Sequence, residues 1–447
     1  MKTSNPFARG GFIRAATKPW RREAARRLDI GFFSALSRLN RPFCRGRFIA
    51  ITGSSAKTTT ASLLGHVLSG HGRVRSQFVK NTIETTSRTV ASARWKDDYV
   101  VIEAGTSGKG RIAEIARVIR PDVAIVTLIG LDHYSAFRTR EAVAEEKASL
   151  VAALRKDGLA VLNADDDFVR RMAGSTEARS VTYGRAEDAD FRVTSVIYEF
   201  PGPLDMEIAW QGRTQKLSIP LAGEHFAVAV AAAFAAAIEL GVAPQTIAER
   251  MSSFEPVFNR CHVYRTEGGP TFLLDAVKSP LGTLGLAIDV VARANVTKKR
   301  IVLGHLADYA GSSRPAYRKA YRMAREAADQ VIFTGPASHR SGASEEDRAS
   351  ERFLELADAR SVYEYLRSSA GEDELVLLKG SARDHLERVA LAYSHDVKCW
   401  AQGCGFTIGC RECGMYEYPL EEHARIRRRK RRENWKRHFL FPVRGPN

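Results

Sequence analysis

Cysteine is scarce in this sequence, six in 447 residues. That density excludes a disulfide scaffold and makes the cytoplasm the expected compartment. No apolar run approaches the roughly 20 residues that cross a bilayer, so an integral membrane protein is not expected. Lys2, Arg9 and Arg14 are not followed by the unbroken apolar stretch of a secretory signal. No internal repeat at a fixed period is visible, which excludes solenoid architectures. What is present, 44% hydrophobic and 27% charged residues, is the balance of a soluble globular chain. The length suggests roughly three domains at about 150 residues each.

Acidic residues are also few, and the net charge is +17. Residues 1–47 carry 12 Lys and Arg against Glu23 and Asp29, and residues 425–447 carry 10 against Glu433. The segment 48–424 is left at −2, so the basicity belongs to the two ends. A body built to track nucleic acid is therefore not expected, and the ends are read as arms seeking an anionic partner. A helix is expected over about Trp20–Leu39, with Trp20, Ala24, Leu28, Phe32 and Leu36 at four-residue spacing and Arg21, Arg22, Arg26 and Arg27 between them. It either lies on an anionic membrane surface or packs on the next domain. The run from Arg425 to Arg432, with Trp435, Phe439 and Phe441 nearby, allows peripheral anchoring to the inner face of a membrane, with RNA the weaker alternative.

From Arg47 the texture changes to short apolar runs alternating with helical stretches. Phe48–Thr52, Tyr99–Ala104, Val123–Leu128, Leu159–Asn163 and Val181–Tyr183 read as strands, and Thr58–Leu68 as a helix. Such alternation implies a mostly parallel sheet covered on both faces. Candidate antiparallel strands follow at Val193–Phe200, Leu204–Trp210 and Thr214–Ile219, then helices at Phe226–Leu240 and Pro244–Phe254. A second α/β unit has strands at Thr271–Asp275, Arg300–Gly304, Gln330–Thr334 and Glu374–Leu378. Four segments result: a basic amphipathic 1–47, a central nucleotide-binding 48–258, a Rossmann-like 259–395, and a Cys-rich basic tail 396–447.

The motif with the clearest chemistry is Gly53-Ser54-Ser55-Ala56-Lys57-Thr58-Thr59-Thr60, between a predicted strand and a predicted helix. Backbone N–H groups of such a turn cradle phosphate, Lys57 reaches the β/γ-phosphates, and Thr58 can ligate Mg²⁺. Further along stand Glu103 in Val-Ile-Glu-Ala-Gly, Asp132-His133, Lys147 fourteen residues after His133, and Asn163-Ala-Asp-Asp166. The second unit contributes Asn259-Arg260, Asp275-Ala-Val-Lys278-Ser-Pro280, Gly304-His-Leu-Ala-Asp308 with Arg314-Pro315, and Lys379-Gly-Ser381 with Glu387.

In this order and at these intervals the motifs resemble the Mur ligases, ATP-dependent acid–amino-acid ligases that include the muramoyl-peptide ligases and folylpolyglutamate synthetase. The likeness runs from about residue 48 to 390, and its closing motif is most similar to the D-alanyl-D-alanine-adding branch. The resemblance implies an α/β fold with a P-loop central domain followed by a Rossmann-like domain. It implies ATP and Mg²⁺ as cofactors, and formation of an acyl phosphate that an amine attacks. Glu103 would contact Mg²⁺. Lys147 would be carbamylated to serve a second Mg²⁺ beside His133, and Arg260 and Asp275 would face the nucleotide. Lys278, Asp308, Arg314, Lys379, Ser381 and Glu387 would face substrate, a small-molecule, peptide or polymer carboxylate and an amine. Read from the sequence alone, Lys147 in Glu145-Glu146-Lys147 is a surface lysine of an acidic helix.

Departures are equally specific. Ala56 stands where the family has Gly, Thr127 where it has Asn, and Phe226 and Ala229 where it has two asparagines. Lys278 replaces a histidine, and Leu306 and Ala307 replace glycines. Only 52 residues precede Gly53, so the family's UDP-sugar domain is not expected, and a UDP-muramoyl acid is less expected than another envelope or polymer precursor. The departures keep a second reading open, a nucleotide-binding scaffold that retains the fold without ligating. Finally, Cys399-x₄-Cys404-x₅-Cys410-x₂-Cys413, flanked by glycines, is read as a four-thiolate structural Zn²⁺ site that orders a short segment lacking its own core.

Overall fold

A computed structural model describes residues 19–131, 134, 136–404 and 409–430. Residues 431–447, with Trp435, Phe439 and Phe441, lie outside the described residues, as do Asp132 and His133. The chain divides into two compact units, Met1–Thr194 with Glu207–Gln215 and Val228–Met251, and Ser195–Met206 with Lys216–Ala227 and Ser252–Asn447. Among the described residues no helix is long and apolar enough to cross a membrane.

The first sheet has nine strands, β1 (Arg47–Thr52), β2 (Val74–Gln77), β3 (Tyr99–Glu103), β4 (Val123–Val126), β5 (Leu159–Asn163), β6 (Arg179–Gly184), β7 (Phe191–Tyr198), β8 (Leu204–Trp210) and β9 (Arg213–Ile219). Their order is β2-β3-β1-β4-β5-β6-β7-β8-β9. The pairs from β2 through β7 are parallel. Strands β1, β3, β4 and β5 are apolar runs buried on both faces, as a parallel sheet sandwiched by helices requires. The helices that matter for the site are α1 (Pro19–Asn40), α2 (Lys57–Leu68), α3 (Ile83–Ala91), α4 (Arg111–Ile119) and α5 (Arg140–Val151). Register puts Ile51 beside Glu103, so the end of β1, where the phosphate motif starts, meets the acidic end of β3.

The second sheet has six strands, β10 (His262–Tyr264), β11 (Thr271–Asp275), β12 (Lys298–Leu303), β13 (Gln330–Thr334), β14 (Phe353–Leu356) and β15 (Glu374–Lys379), ordered β10-β11-β15-β12-β13-β14. All pairs are parallel except β10 with β11. Strands β2, β10 and β14 are absent from the sequence reading. They are short edge strands of three or four residues, and β2 (Val-Arg-Ser-Gln) has no apolar run to announce it.

The Cys-rich segment is not an appendage without a core. Leu391, Val397 and Cys410 form an apolar cluster with Phe258, Tyr264, Trp400 and Tyr416. The amides of Lys398 and Cys399 both donate to Tyr416 O at 2.9 Å.

Candidate functional site

The loop from Gly53 to Lys57 is fastened to the end of β4. Ser54 N donates to Leu128 O at 2.8 Å, and Thr127 Oγ1 donates to Ser55 O at 2.6 Å. Thr127 thus anchors the loop from a position where the family carries an amide. Gly53 has φ +146°, and a Cβ there would overlap Thr127 Oγ1. Ala56 caps α2 in the left-handed region at φ 66°, which costs an L-residue roughly 1–2 kcal/mol and accounts for the glycine usual there. Lys57 Nζ lies over the loop, donating to Gly53 O at 2.6 Å and Ser54 O at 3.3 Å.

Glu103 is 2% exposed, and its carboxylate gathers donors from three segments. Oε2 accepts from Thr58 Oγ1 and from Val79 N, both at 2.9 Å, and Oε1 accepts from Asn81 Nδ2 at 2.7 Å. Thr58 and Glu103 therefore present two hard oxygen ligands side by side at the phosphate loop, the donor set that suits Mg²⁺. Asn81 was missed in the sequence, where it sits in an irregular stretch between β2 and α3 with no motif around it. The Asn163–Asp166 turn braces the neighbouring loop: Asn163 Nδ2 donates to Thr127 O and Asp166 Oδ2 accepts from Ile129 N, each at 2.7 Å.

Lys147 is not a surface lysine. It is 1% exposed on α5, which packs on β1 and β4, and its neighbour Glu146 is 7% exposed. Glu146 accepts from Gly110 N at 2.6 Å, Ile112 N at 2.7 Å and Thr106 Oγ1 at 3.2 Å, tying α5 to the loop that follows Glu103. The expectation for His133 concerns a residue outside those described.

Beside this loop a cavity of about 820 Å³ opens between α1, α3 and α4. Asn81, Gly105 and Thr106 contribute to one wall. Arg26, Arg27, Arg38, Lys109, Arg111 and Arg117 also line it among neutral residues, with Glu114 the one lining acid. Such a cavity favours an anionic occupant.

In the second unit, register pairs Asp275 with Lys379, and Lys379 Nζ contacts Asp275 Oδ2 at 2.5 Å and Lys278 O at 2.8 Å. Lys379 is 3% exposed, so its ammonium is held in an internal ion pair. Lys278 and Arg314 are exposed, while Arg260, Asp308 and Ser381 are half-buried. Asp384, which sequence reasoning passed over, accepts from His305 N and Ser381 N, both at 2.8 Å, and so clamps the turns after β12 and β15. His225 is partly buried near Asp275 and Lys379, and desolvation is the main cause that pushes its pKa down to about 4. Glu387, expected to face substrate, is 1% exposed and turned to the tail, where Oε1 accepts from Cys410 N at 2.8 Å.

The four-thiolate site is corrected. Cys399, Cys404, Cys410 and Cys413 do not form one group; Cys404 and Cys410 both contact His385, and Cys410 and Cys413 each take an arginine. Cys404 Sγ lies 3.1 Å from His385 Nε2, Cys410 Sγ accepts from Arg388 Nε at 3.0 Å, and Cys413 Sγ accepts from Arg427 Nη2 at 3.1 Å. Among the described residues, the group close enough to hold a metal is His385, Glu387 and Cys410. With an apolar cluster of its own and arginines on its thiols, the segment has less need of a metal to order it.

A cradle of backbone amides at a helix N-terminus, a lysine over it and a threonine–glutamate pair beside it define a phosphate-loop protein of the α/β class. Residues 51–237 match the Mur ligase middle domain. The UDP-N-acetylmuramoyl-tripeptide–D-alanyl-D-alanine ligase of Bacillus subtilis is 25% identical over 351 residues, covering 77% of this chain and 75% of that one. The ligase of the same name from Mycobacterium tuberculosis is 27% identical over 374 residues, covering 78% and 73%. The fold matches the crystal structure of the MurF ligase from Thermotoga maritima in complex with ADP at a TM-score of 0.72, with 20% identity over 81% of this chain and 83% of that one. Residues 51–237 thus carry a Mur ligase middle domain, and the chain is similar over about three quarters of its length to proteins named as Mur ligases.

Proposed function

We propose that this chain activates a carboxylate with ATP and joins it to the amine of an amino acid or peptide, in the synthesis of a cell-envelope component or polymer. A carboxylate oxygen attacks the γ-phosphorus, the bond to the β-phosphate oxygen breaks and ADP leaves. The amine nitrogen then attacks the acyl carbon, inorganic phosphate departs, and the nitrogen loses a proton. The observation that carries this reading is the buried Thr58–Glu103 pair beside the phosphate loop. Thr58 and Glu103 would hold Mg²⁺, which when bound neutralises phosphate charge. Lys57 orients the β/γ-phosphates, and the cation-lined cavity next to Asn81 and Thr106 suits the anionic acid. Lys147, buried on α5, would as a carbamate offer oxygens to a second Mg²⁺.

Phosphate release by wild type and Lys147→Ala, measured against the same panel of acids and amines, tests this. Wild type should release phosphate only with an acid and an amine present. Lys147→Ala should keep nucleotide affinity within a few-fold and lose turnover by roughly a hundredfold or more. Equal rates would remove Lys147 from the mechanism. ATP binding with no acid-dependent release would leave a nucleotide-binding scaffold.

A further inference from the structure

Helix α1 docks through Ile30, Phe33 and a set of polar side chains, and leaves a second row of large apolar residues outside. Ser37, fully buried, donates to Ser87 O at 2.8 Å, and Asn40 Nδ2 donates to Val90 O at 3.0 Å and Ala93 O at 2.8 Å. Ser34 Oγ and Ser87 Oγ lie 3.0 Å apart. On the other side Leu28, Phe32, Leu36 and Leu39 are 75%, 64%, 38% and 68% exposed, and Phe43, just past the helix, is 73% exposed. At 3.6 residues per turn those four helical positions fall within an arc of roughly 80°. Scattered apolar residues on a surface need no explanation, but a continuous stripe does. Hydrogen bonds already fix the helix, so the stripe is not needed to hold it in place.

We propose that α1 is an interfacial helix that lays this stripe into an anionic lipid surface. Charge selects the occupant. Exposed Arg27 and Arg38 border the stripe, and residues 1–47 carry 12 Lys and Arg against two acids. One of those acids, Asp29, is bonded to Arg88 at 2.6 Å. A second copy of the chain would bring the same positive charge against itself, whereas anionic headgroups neutralise it while the acyl boundary receives the leucines and phenylalanines. The proposal goes beyond the ligase reading and does not depend on it, since its test requires no turnover.

The test is co-sedimentation of the full-length chain with vesicles of phosphatidylcholine containing about one-third phosphatidylglycerol, and with phosphatidylcholine alone. Wild type should bind the anionic vesicles, more weakly at high salt. The triple variant Leu28→Ser, Phe32→Ser, Leu39→Ser should lose roughly a hundredfold in partitioning, because three apolar side chains no longer enter the interface. Its melting curve should match wild type, as the three side chains face solvent. In a separate variant, Phe32→Trp, the emission should shift to the blue on adding anionic vesicles, which adsorption by charge alone would not produce. Absence of wild-type binding, equal binding by the triple variant, or an unshifted tryptophan would each overturn the proposal. So would a lipid-free dimer of wild type that the triple variant dissociates, which would assign the stripe to a second copy.

Discussion

Replacing Glu103 by Gln separates the structural from the chemical duty of that side chain. In the native site two donors meet Oε2 (Thr58 Oγ1 and Val79 N) and one meets Oε1 (Asn81 Nδ2). A glutamine can place its carbonyl where Oε2 stands and keep the first two bonds. Its NH₂ then faces Asn81, whose amide can turn over to offer its own oxygen. All three bonds survive, and what is lost is the charge assistance, so the stability cost should be about 1–2 kcal/mol. Glu103→Ala strands the same buried donors at about 1–3 kcal/mol each and should cost several times more. The chemical effect should be disproportionate, because a neutral amide is a poor Mg²⁺ ligand. Nucleotide affinity measured with Mg²⁺ and with chelator should differ by roughly tenfold or more in wild type, and this ratio should collapse toward unity in Glu103→Gln. Calorimetric titration with ATP gives both values without knowledge of the acid or amine. A Glu103→Gln protein that keeps the full Mg²⁺ effect would refute the assignment of Glu103 to the cation.

Two further outcomes follow from local geometry. Ala56→Gly relieves the left-handed alanine and should raise stability by about 1 kcal/mol with nucleotide affinity preserved, read from thermal melting and titration; a lower melting temperature would contradict the strain argument. His225, with its pKa depressed from 6.5 to about 4, stays neutral in the folded chain while the unfolded chain takes up a proton. Stability should therefore fall as pH drops from about 6.5 to 4, by on the order of 3 kcal/mol from this group. His225→Asn should flatten that part of the pH–stability curve, and an unchanged slope would show that His225 is not the titrating group.

The parts of the site legible in the sequence were those whose backbone setting has its own signature. A strand, a Gly-Ser-Ser turn and a Lys-Thr-Thr-Thr helix start locate the phosphate loop, and resemblance to a family motif at the end of a strand locates Glu103. What the sequence hid depended on partners far along the chain. Lys147 sits in an acidic stretch that reads as solvated, yet Glu146 turns inward to cap amides of residues 110 and 112 and the lysine beside it is buried. The four thiols look like one ligand set until Arg388, Arg427 and His385 arrive from other segments. For α1 the periodicity was plain but its polarity was not, because a helical wheel does not say which face a neighbour will take. The docking face was decided by Ser87, Val90 and Ala93 on and beyond α3, which offer hydrogen-bond acceptors.

Adjacent residues of α5 carry unlike duties, Glu146 gripping the loop after β3 and Lys147 buried beside it. One rigid helix thereby sets the position of both. A small rotation or slide of α5 cannot move the lysine without pulling on Thr106 and Gly110, which help to line the cationic cavity. Occupancy of that cavity and the placement of Lys147 are then mechanically linked, and a ligand pressing on the loop would be felt one residue away through a buried carboxylate. Such a link couples the cavity wall to the helix that carries Lys147 without any hinge, because the loop and the lysine share a single support.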